Sequence, residues 1–246
     1  MTDAAIRLEG VTKAFGPRVV LDDVSLEVPQ RSGFALLGRS GTGKSVTLKH
    51  IIGLMHPDRG RVLVGDRDVN VLRGADLASV RRRIGFLFQN AALFDSISVG
   101  ENVAFPLRRH TDMRDRDIRR LAQSKLADVG LEHEFDKMPA DLSGGMRKRA
   151  GLARAMALDP EILLVDEPSA GLDPITSDEI DELLVTLKRR GTTVVMVTHN
   201  IPSARHVADH MAFLHQGRVI ARGSAADLER SEHALVRTFM RSEGAG

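Results

Sequence analysis

The chain contains the run Gly38-Arg39-Ser40-Gly41-Thr42-Gly43-Lys44-Ser45, which follows the short apolar stretch Phe34 to Leu37 and precedes a helical pattern. This order is typical of a glycine-rich loop between a strand and a helix, whose backbone N–H groups surround phosphate oxygens. The N-terminus of the following helix adds positive potential. We therefore predict that the whole loop binds phosphate. Lys44 is expected to reach the β- and γ-phosphates of a nucleotide, and Ser45 is expected to give its hydroxyl to Mg²⁺.

A second stretch, Glu161-Ile162-Leu163-Leu164-Val165-Asp166-Glu167, runs from apolar residues into two adjacent carboxylates. The apolar run predicts a strand that places Asp166 at its C-terminal edge, where open α/β sheets bind ligands. Asp166 is expected to hold Mg²⁺, and Glu167 is expected to act as the general base that orients and polarises the attacking water. Alone, such a stretch is also typical of a strand ending at an acidic turn. Next to a phosphate loop, it indicates catalysis.

Hydrophobic patterning supports an α/β fold along the rest of the chain. Strand-like patterns occur at residues 6–8, 24–28, 62–64, 84–88, 162–165 and 193–197. Helical patterns are expected at residues 44–55, 111–130, from Ser143 onward, 180–187 and, weakly, 227–240. The last two strands are continuous apolar runs, which suit a parallel sheet covered by helices. The pattern predicts a strand–helix–strand core with a helical insert between about residues 90 and 158.

Composition excludes several classes of protein. The 246 residues are 42% hydrophobic and 28% charged, as in soluble globular proteins. With 35 basic and 33 acidic residues and no Trp or Tyr, no nucleic-acid partner is expected, and the basic clusters 81–83 and 147–149 are interpreted as solvated helix faces. The absence of cysteine excludes thiol catalysis and zinc–thiolate sites. No apolar run reaches the roughly 18–20 residues of a membrane span, and residues 1–10 lack a signal core, so we expect a cytoplasmic protein.

A third stretch, Leu142-Ser143-Gly144-Gly145-Met146, indicates the family. It resembles the Leu-Ser-Gly-Gly-Gln signature of ABC ATPases, with Met146 in place of Gln. The resemblance implies that Ser143, Gly144 and Gly145 contact the γ-phosphate of ATP through a hydroxyl and backbone N–H groups at a helix N-terminus. In this family that ATP is held by the phosphate loop of another chain, which implies a head-to-tail homodimer. Outside this context, the triplet would be a plain helix cap.

Other motifs of ABC ATPases follow in the expected order. Gln89 matches the Q-loop glutamine, which contacts Mg²⁺ or the attacking water and whose loop senses the transport partner. The run Ser169-Ala170-Gly171-Leu172-Asp173 matches the D-loop, which implies that Asp173 lies at the dimer seam. His199 matches the switch histidine that contacts the γ-phosphate. The resemblance therefore implies catalytic roles for Glu167, His199 and Gln89.

Phe15 occupies the position at which the family usually has a tyrosine that stacks on adenine. A phenylalanine keeps the aromatic face and loses only the hydroxyl. We expect Phe15 to contact the base of ATP, with simple packing near a strand end as the alternative.

The resemblance extends from about Leu8 to Gly223 and implies the ABC type of P-loop NTPase fold. That fold is α/β, with an N-terminal antiparallel β-subdomain and an inserted α-helical subdomain. We expect one domain over residues 1–246. Its parts are a RecA-like core with the β-subdomain at about 1–89 and 159–223, a helical subdomain at about 90–158 and a C-terminal tail at 224–246.

Several stretches resemble the ATPase of the Mla/Mce-type lipid transporters of diderm bacteria. They are residues 86–96, 101–107 and 109–111, together with the Met146 variant of the signature and residues 173–176. This resemblance implies phospholipid traffic between the inner and outer membranes. It also implies an integral membrane permease, an Mce-domain partner and often a small STAS-domain subunit. The chain would then sit peripherally on the cytoplasmic face of the inner membrane, bound through the permease.

Three alternatives remain at this point. The first is the ATPase of a small-solute importer, for example of polar amino acids, which would use the same enzyme with another permease. The second is an ABC protein outside transport, such as a translation or DNA-repair factor, but those typically carry two cassettes or a long coiled-coil insert. The third is a non-catalytic interaction module, against which the presence of Lys44, Glu167 and His199 argues.

Overall fold

A computed structural model describes residues 4–242, in which ten strands and nine α-helices follow one another. The strands are β1 (Ala4–Phe15), β2 (Arg18–Pro29), β3 (Gly33–Leu37), β4 (Arg59–Val64), β5 (Arg67–Asp68), β6 (Ile84–Leu87), β7 (Ile162–Asp166), β8 (Thr193–Thr198), β9 (His210–His215) and β10 (Arg218–Gly223). The helices are α1 (Lys44–Ile51), α2 (Gly74–Arg82), α3 (Val99–His110), α4 (Asp115–Ala127), α5 (Gly144–Ala155), α6 (Pro174–Arg189), α7 (Ile201–Val207), α8 (Ala225–Glu229) and α9 (Ala234–Arg241). Among these residues, no helix combines the length and the hydropathy needed to cross a membrane.

The strands form two sheets. The smaller sheet has the order β2-β1-β4-β5 and is antiparallel. The larger sheet has the order β10-β9-β3-β8-β7-β6, and its pairs are parallel except for β9 with β10. Strands β3, β6, β7 and β8 are buried along their whole lengths, which is why they read as continuous apolar runs. The predicted α/β fold is confirmed.

The larger sheet separates two hydrophobic cores. Leu163 and Val165 of β7 pack with the helical side, whereas Ile162 and Leu164 pack with α1 and the smaller sheet. This alternation follows from the two-residue period of a strand. Because the parallel strands end on the same edge, the residues that follow β3, β6, β7 and β8 are gathered there.

The bounds of several elements differ from the sequence prediction. The helix expected at residues 44–55 ends at Ile51, shortly before Gly53, which has φ +68°. The helical pattern at 111–130 corresponds to α4 alone, and the weak pattern at 227–240 is divided between α8 and α9. Helices α3, α4 and α5 lie within residues 90–158, the segment expected to be the helical insert.

Candidate functional site

The phosphate loop joins β3 to α1 at the C-terminal edge of the larger sheet. Two of its glycines have positive φ and close neighbours: a Cβ on Gly38 would overlap the carbonyl oxygen of Leu214, and one on Gly43 would lie 2.7 Å from Leu21. Only glycine fits these positions without movement of the surrounding chain. The two ends of the loop thus pack closely against neighbouring segments, while Arg39, Ser40 and Gly41 are exposed to solvent.

The Lys44 side chain is directed back under the phosphate loop. Its Nζ donates to the carbonyl oxygens of Gly38 at 2.8 Å and Arg39 at 3.2 Å, and it lies 3.2 Å from Oε1 of Glu167. The side chain is only 5% exposed. A buried ammonium in this position provides a fixed positive charge within reach of a phosphate bound by the loop.

The side chains of Ser45 and Asp166 meet beside this lysine. Ser45 Oγ donates to Asp166 Oδ1 at 2.8 Å. Burial raises the pKa of the Asp166 carboxyl. The hydrogen bond from Ser45 opposes this rise, and the neighbouring charge of Glu167 adds to it. The structure brings these two predicted metal ligands together. Gln89, the third, is exposed two residues beyond the end of β6 and makes no hydrogen bond to either of them in the described part of the chain.

Glu167 joins the lysine to the switch histidine. One carboxylate oxygen faces Lys44, and the other lies 2.9 Å from His199 Nδ1 and accepts the His199 backbone N–H at 3.3 Å. Glu167 has φ +46°, an uncommon conformation for a residue with a side chain, and its own N–H donates to Val197 on β8 at 2.9 Å. This backbone turn directs Glu167 toward His199 while Asp166 points to Ser45.

Lys148 is a site residue that sequence reasoning missed. The sequence predicts a solvated helix face for the cluster 147–149. For Lys148 this prediction is wrong, because its side chain is buried and its Nζ donates to the Glu167 carbonyl oxygen at 3.0 Å. Burial lowers the pKa of Lys148, and the Asp166 and Glu167 carboxylates raise it. A signal was available: Lys148 falls on one helix face with the buried Gly145 and Leu152, at spacings of three and four residues.

Replacing Lys148 should therefore impair turnover. We expect Lys148→Met to lower kcat for ATP hydrolysis by about 10- to 100-fold with little change in KM, because it removes a buried charged hydrogen bond worth about 1.5–3 kcal/mol from the backbone of Glu167. Phosphate release and thermal unfolding should be measured together, with Lys137→Met, a change at a half-exposed lysine, as the control. An unchanged kcat for Lys148→Met would contradict a positioning role.

The signature residues lie apart from the phosphate loop within one chain. Ser143 is exposed and caps α5, with its hydroxyl accepting the Met146 N–H at 3.2 Å. A Cβ on Gly145 would overlap the Thr176 side chain. Thr176 donates to the Asp173 carboxylate through its hydroxyl at 2.6 Å and through its backbone N–H at 3.0 Å. The structure therefore joins the signature to the D-loop end of α6. It shows no contact of Ser143 with the described phosphate loop.

Phe15 lies at the end of β1 and is 45% exposed. Its ring is 5.8 Å from Lys13 Nζ, and the residue paired with it across the hairpin, Arg18, donates to the Gly41 carbonyl oxygen at 3.5 Å. The aromatic face is therefore available to solvent close to the phosphate loop.

Comparison with known proteins identifies the family. The profile of the ABC transporter family matches residues 21–170, which is more than half of the chain. The chain belongs to the ABC transporter family. It is an ABC ATPase: it binds ATP and hydrolyses it as a subunit of a transport system.

Curated relatives of this ABC ATPase extend over nearly its whole length. It is 42% identical over 243 residues to a probable ribonucleotide transport ATP-binding protein of Mycobacterium leprae, covering 98% of this chain and 70% of the relative. It is 38% identical over 247 residues to an intermembrane phospholipid transport system ATP-binding protein of Haemophilus influenzae, covering 100% and 94%. The corresponding Escherichia coli protein is 38% identical over 236 residues, covering 96% and 88%.

Solved structures give the same result for the fold. A dimeric ATP-binding cassette in a post-hydrolysis state, bound to ADP and phosphate, superposes with a TM-score of 0.83 at 34% identity, covering 89% of this ABC ATPase and 98% of that chain. A Clostridium perfringens protein that is part of an ABC transporter complex gives a TM-score of 0.84 at 28% identity, covering 97% of this chain and 96% of that chain. The expected ABC type of P-loop fold is confirmed.

Proposed function

We propose that this ABC ATPase powers phospholipid transport between the inner and outer membranes of a diderm bacterium. The observation that carries this proposal is its 38% identity to the intermembrane phospholipid transport ATPase of Haemophilus influenzae, over all of this chain and 94% of the relative. The stretches at residues 86–96 and 109–111 support the same assignment by their resemblance to Mla/Mce-type ATPases.

Ribonucleotide transport is the second candidate. It rests on the mycobacterial relatives, which are more similar in sequence at 42% identity but of which the chain covers only about 70%. Both candidates use the same ATPase chemistry, so the catalytic site does not distinguish them. The difference lies in the permease and its cargo.

The site geometry supports a division of labour in ATP hydrolysis. Lys44 and the loop at residues 38–45 would bind the phosphates, and Glu167 would accept a proton from the attacking water, with His199 at 2.9 Å holding the carboxylate in place and reaching the γ-phosphate. Phe15 would stack on the adenine. Gln89 would orient the water once its loop moves toward the site.

Residues suited to Mg²⁺ are present beside the loop. Ser45 and Asp166 present adjacent oxygen ligands, the kind that Mg²⁺ prefers, and the buried carboxylate is an environment in which a cation compensates charge. When bound with ATP, Mg²⁺ would neutralise part of the phosphate charge in the transition state. We propose Ser45, Asp166 and Gln89 as its side-chain partners.

We further propose that two copies form a head-to-tail dimer with composite sites. Ser143 and the N–H groups of Gly144 and Gly145 are placed at the N-terminus of α5, away from the loop of their own chain. In a second copy they could close over the γ-phosphate held by Lys44, with Asp173 at the seam. The similarity to a dimeric cassette supports this arrangement.

A groove beside the Q-loop suits the permease. It has a volume of about 690 Å³ and is lined by the arginines 81, 82 and 154, by His110, and by the exposed rings of Phe94 and Phe105, whose centroids are 5.0 Å apart. The exposed aromatic rings and the basic side chains that line it would accept an acidic, amphipathic segment. We propose that a permease docks here and holds the ATPase on the cytoplasmic face of the inner membrane. Mce-domain and STAS-domain subunits would complete the assembly. The groove lies between the proposed core (about 1–89 and 159–223) and helical subdomain (about 90–158).

Purification of the tagged chain from native membranes in mild detergent tests this function. We expect a permease and phospholipid to copurify, and ATP hydrolysis by the complex to respond to phospholipid rather than to added ribonucleotides. Phe105→Glu should lose the permease and keep the ATPase activity of the isolated chain, whereas Val71→Glu, at an exposed loop position, should keep both. A complex that lacks phospholipid and is stimulated by ribonucleotides would favour the second candidate.

A further inference from the structure

Helix α6 contains a buried carboxyl that the site described above does not use. Asp181 is 3% exposed, and its Oδ1 accepts the hydroxyl of Ser203 on α7 at 2.7 Å. Burial raises its pKa to about 6; the hydrogen bond from Ser203 and the charge of His206 oppose the rise, and Asp178 and Glu182 add to it. A buried carboxylate is costly unless it is hydrogen-bonded, so Ser203 is its principal compensation.

Ser203 is held from a second direction by the residue that follows the switch histidine. Its N–H donates at 3.0 Å to Oδ1 of Asn200, the N-cap of α7. Asn200 in turn donates to Ser169 of the D-loop at 3.4 Å. The first turn of α7 is therefore fixed between α6 and the D-loop. His199 lies immediately before Asn200, the N-cap of this helix.

These contacts form a continuous connection between the D-loop helix and the catalytic carboxylate. It runs from Asp181 through Ser203 and Asn200 to His199, which lies 2.9 Å from Glu167. Asp181, Asn200 and His199 also line one cavity of about 350 Å³. A change at either end would alter how the His199 ring faces the reaction site.

We propose that the hydrogen bond between Asp181 and Ser203 positions His199 against Glu167. Asp181 and Ser203 are therefore positioning residues for ATP hydrolysis. The inference rests on the role proposed above for His199. It adds that α6, whose N-cap is Asp173 at the expected dimer seam, controls the histidine through a buried polar contact.

A purely structural role, in which the contact only holds α6 against α7, makes a different prediction. An exposed pair, His206 Nε2 and Glu182 Oε1 at 2.8 Å, joins the same two helices. If any link between these helices served equally, Glu182→Gln and Ser203→Ala would act alike. Exposed pairs contribute little to stability, so Glu182→Gln is the matched control.

The test uses the full chain and measures two quantities. Ser203→Ala should lower kcat about 5- to 10-fold at unchanged KM for ATP, the size expected for loss of one typical intramolecular hydrogen bond. It should also shift the NMR signal of the His199 ring, which is assigned by its loss in His199→Ala. Asp181→Asn retains an acceptor and should lose less activity. The double change Asp181→Leu with Ser203→Ala leaves no buried polar atom unpaired, so it should fold, and it should match Ser203→Ala.

Each outcome has a definite meaning. An unmoved His199 signal overturns the inference, as does an equal effect of Glu182→Gln. An unchanged kcat in Ser203→Ala and in the double variant also overturns it when His199→Ala itself loses activity. If the signal shifts in Ser203→Ala while His199→Ala retains the parent kcat, the positioning stands as geometry, and it is the proposed catalytic role of His199 that fails.

Discussion

Glu167→Gln is expected to retain ATP and lose nearly all turnover. The amide keeps the size of the side chain and leaves the loop, Lys44 and the Ser45–Asp166 pair in place, but it cannot accept the proton of the attacking water. General-base catalysis typically contributes about 10²–10⁴-fold, so kcat should fall by at least about two orders of magnitude. Phosphate release and nucleotide binding should be measured on the same preparation, together with the dimer fraction in ATP, which should rise because ATP is no longer split.

Glu161→Gln provides the control. Glu161 lies just before β7, the strand that Glu167 follows. It is exposed and pairs with Arg83 at 2.7 Å, so the loss of its charge should leave turnover unchanged. Hydrolysis by Glu167→Gln at close to the parent rate would show that Glu167 is not the base. Loss of nucleotide binding would instead mean that its contact with Lys44 is needed to form the loop.

Much of the fold was predictable because its information is local. The strand–loop–helix around residues 38–45 and the apolar runs of β7 and β8 each carry their own signal, and parallel strands necessarily bring their ends to one edge. Helix α3 was missed although its residues were recognised as a motif. Pro106 lies inside it, and a proline within a helical pattern normally argues against a helix.

The parts of the site that could not be predicted depend on contacts between distant segments. The positive φ of Glu167 is stabilised by an N–H bond to β8 and by Lys148 from α5, and neither can be inferred from the residues around position 167. The link between Asp181 and Ser203 likewise joins two helices whose relative placement only the tertiary structure fixes. The composition of a motif gives its chemistry, and the packing gives its orientation.

Mixing two inactive variants should restore part of the ATPase activity if the sites are composite. Lys44→Ala removes a charge that faces the phosphates, worth about 2–4 kcal/mol, and Ser143→Arg blocks the opposite wall. Each homodimer carries a defect in both sites. In the heterodimer both defects fall on the same site, because one chain supplies its lysine wall and the other its serine wall, and the second site is intact. The ATPase activity of the mixture should be compared with that of each variant alone. The activity recovers only if one working site suffices for turnover.

A cross-link tests the head-to-tail dimer without requiring that one working site suffices for turnover. Ser40 and Gly144 are both exposed, and a Cβ on Gly144 would come no closer than 3.5 Å to its nearest neighbour, Leu172, so Ser40→Cys and Gly144→Cys should fold. With no natural cysteine in the chain, the two changes placed on separate Glu167→Gln chains should give an inter-chain link only when ATP is present. Gln123→Cys, at an exposed position on α4, should give none when paired with Ser40→Cys. A link that forms within one chain, or one that ATP does not promote, would rule out the head-to-tail dimer.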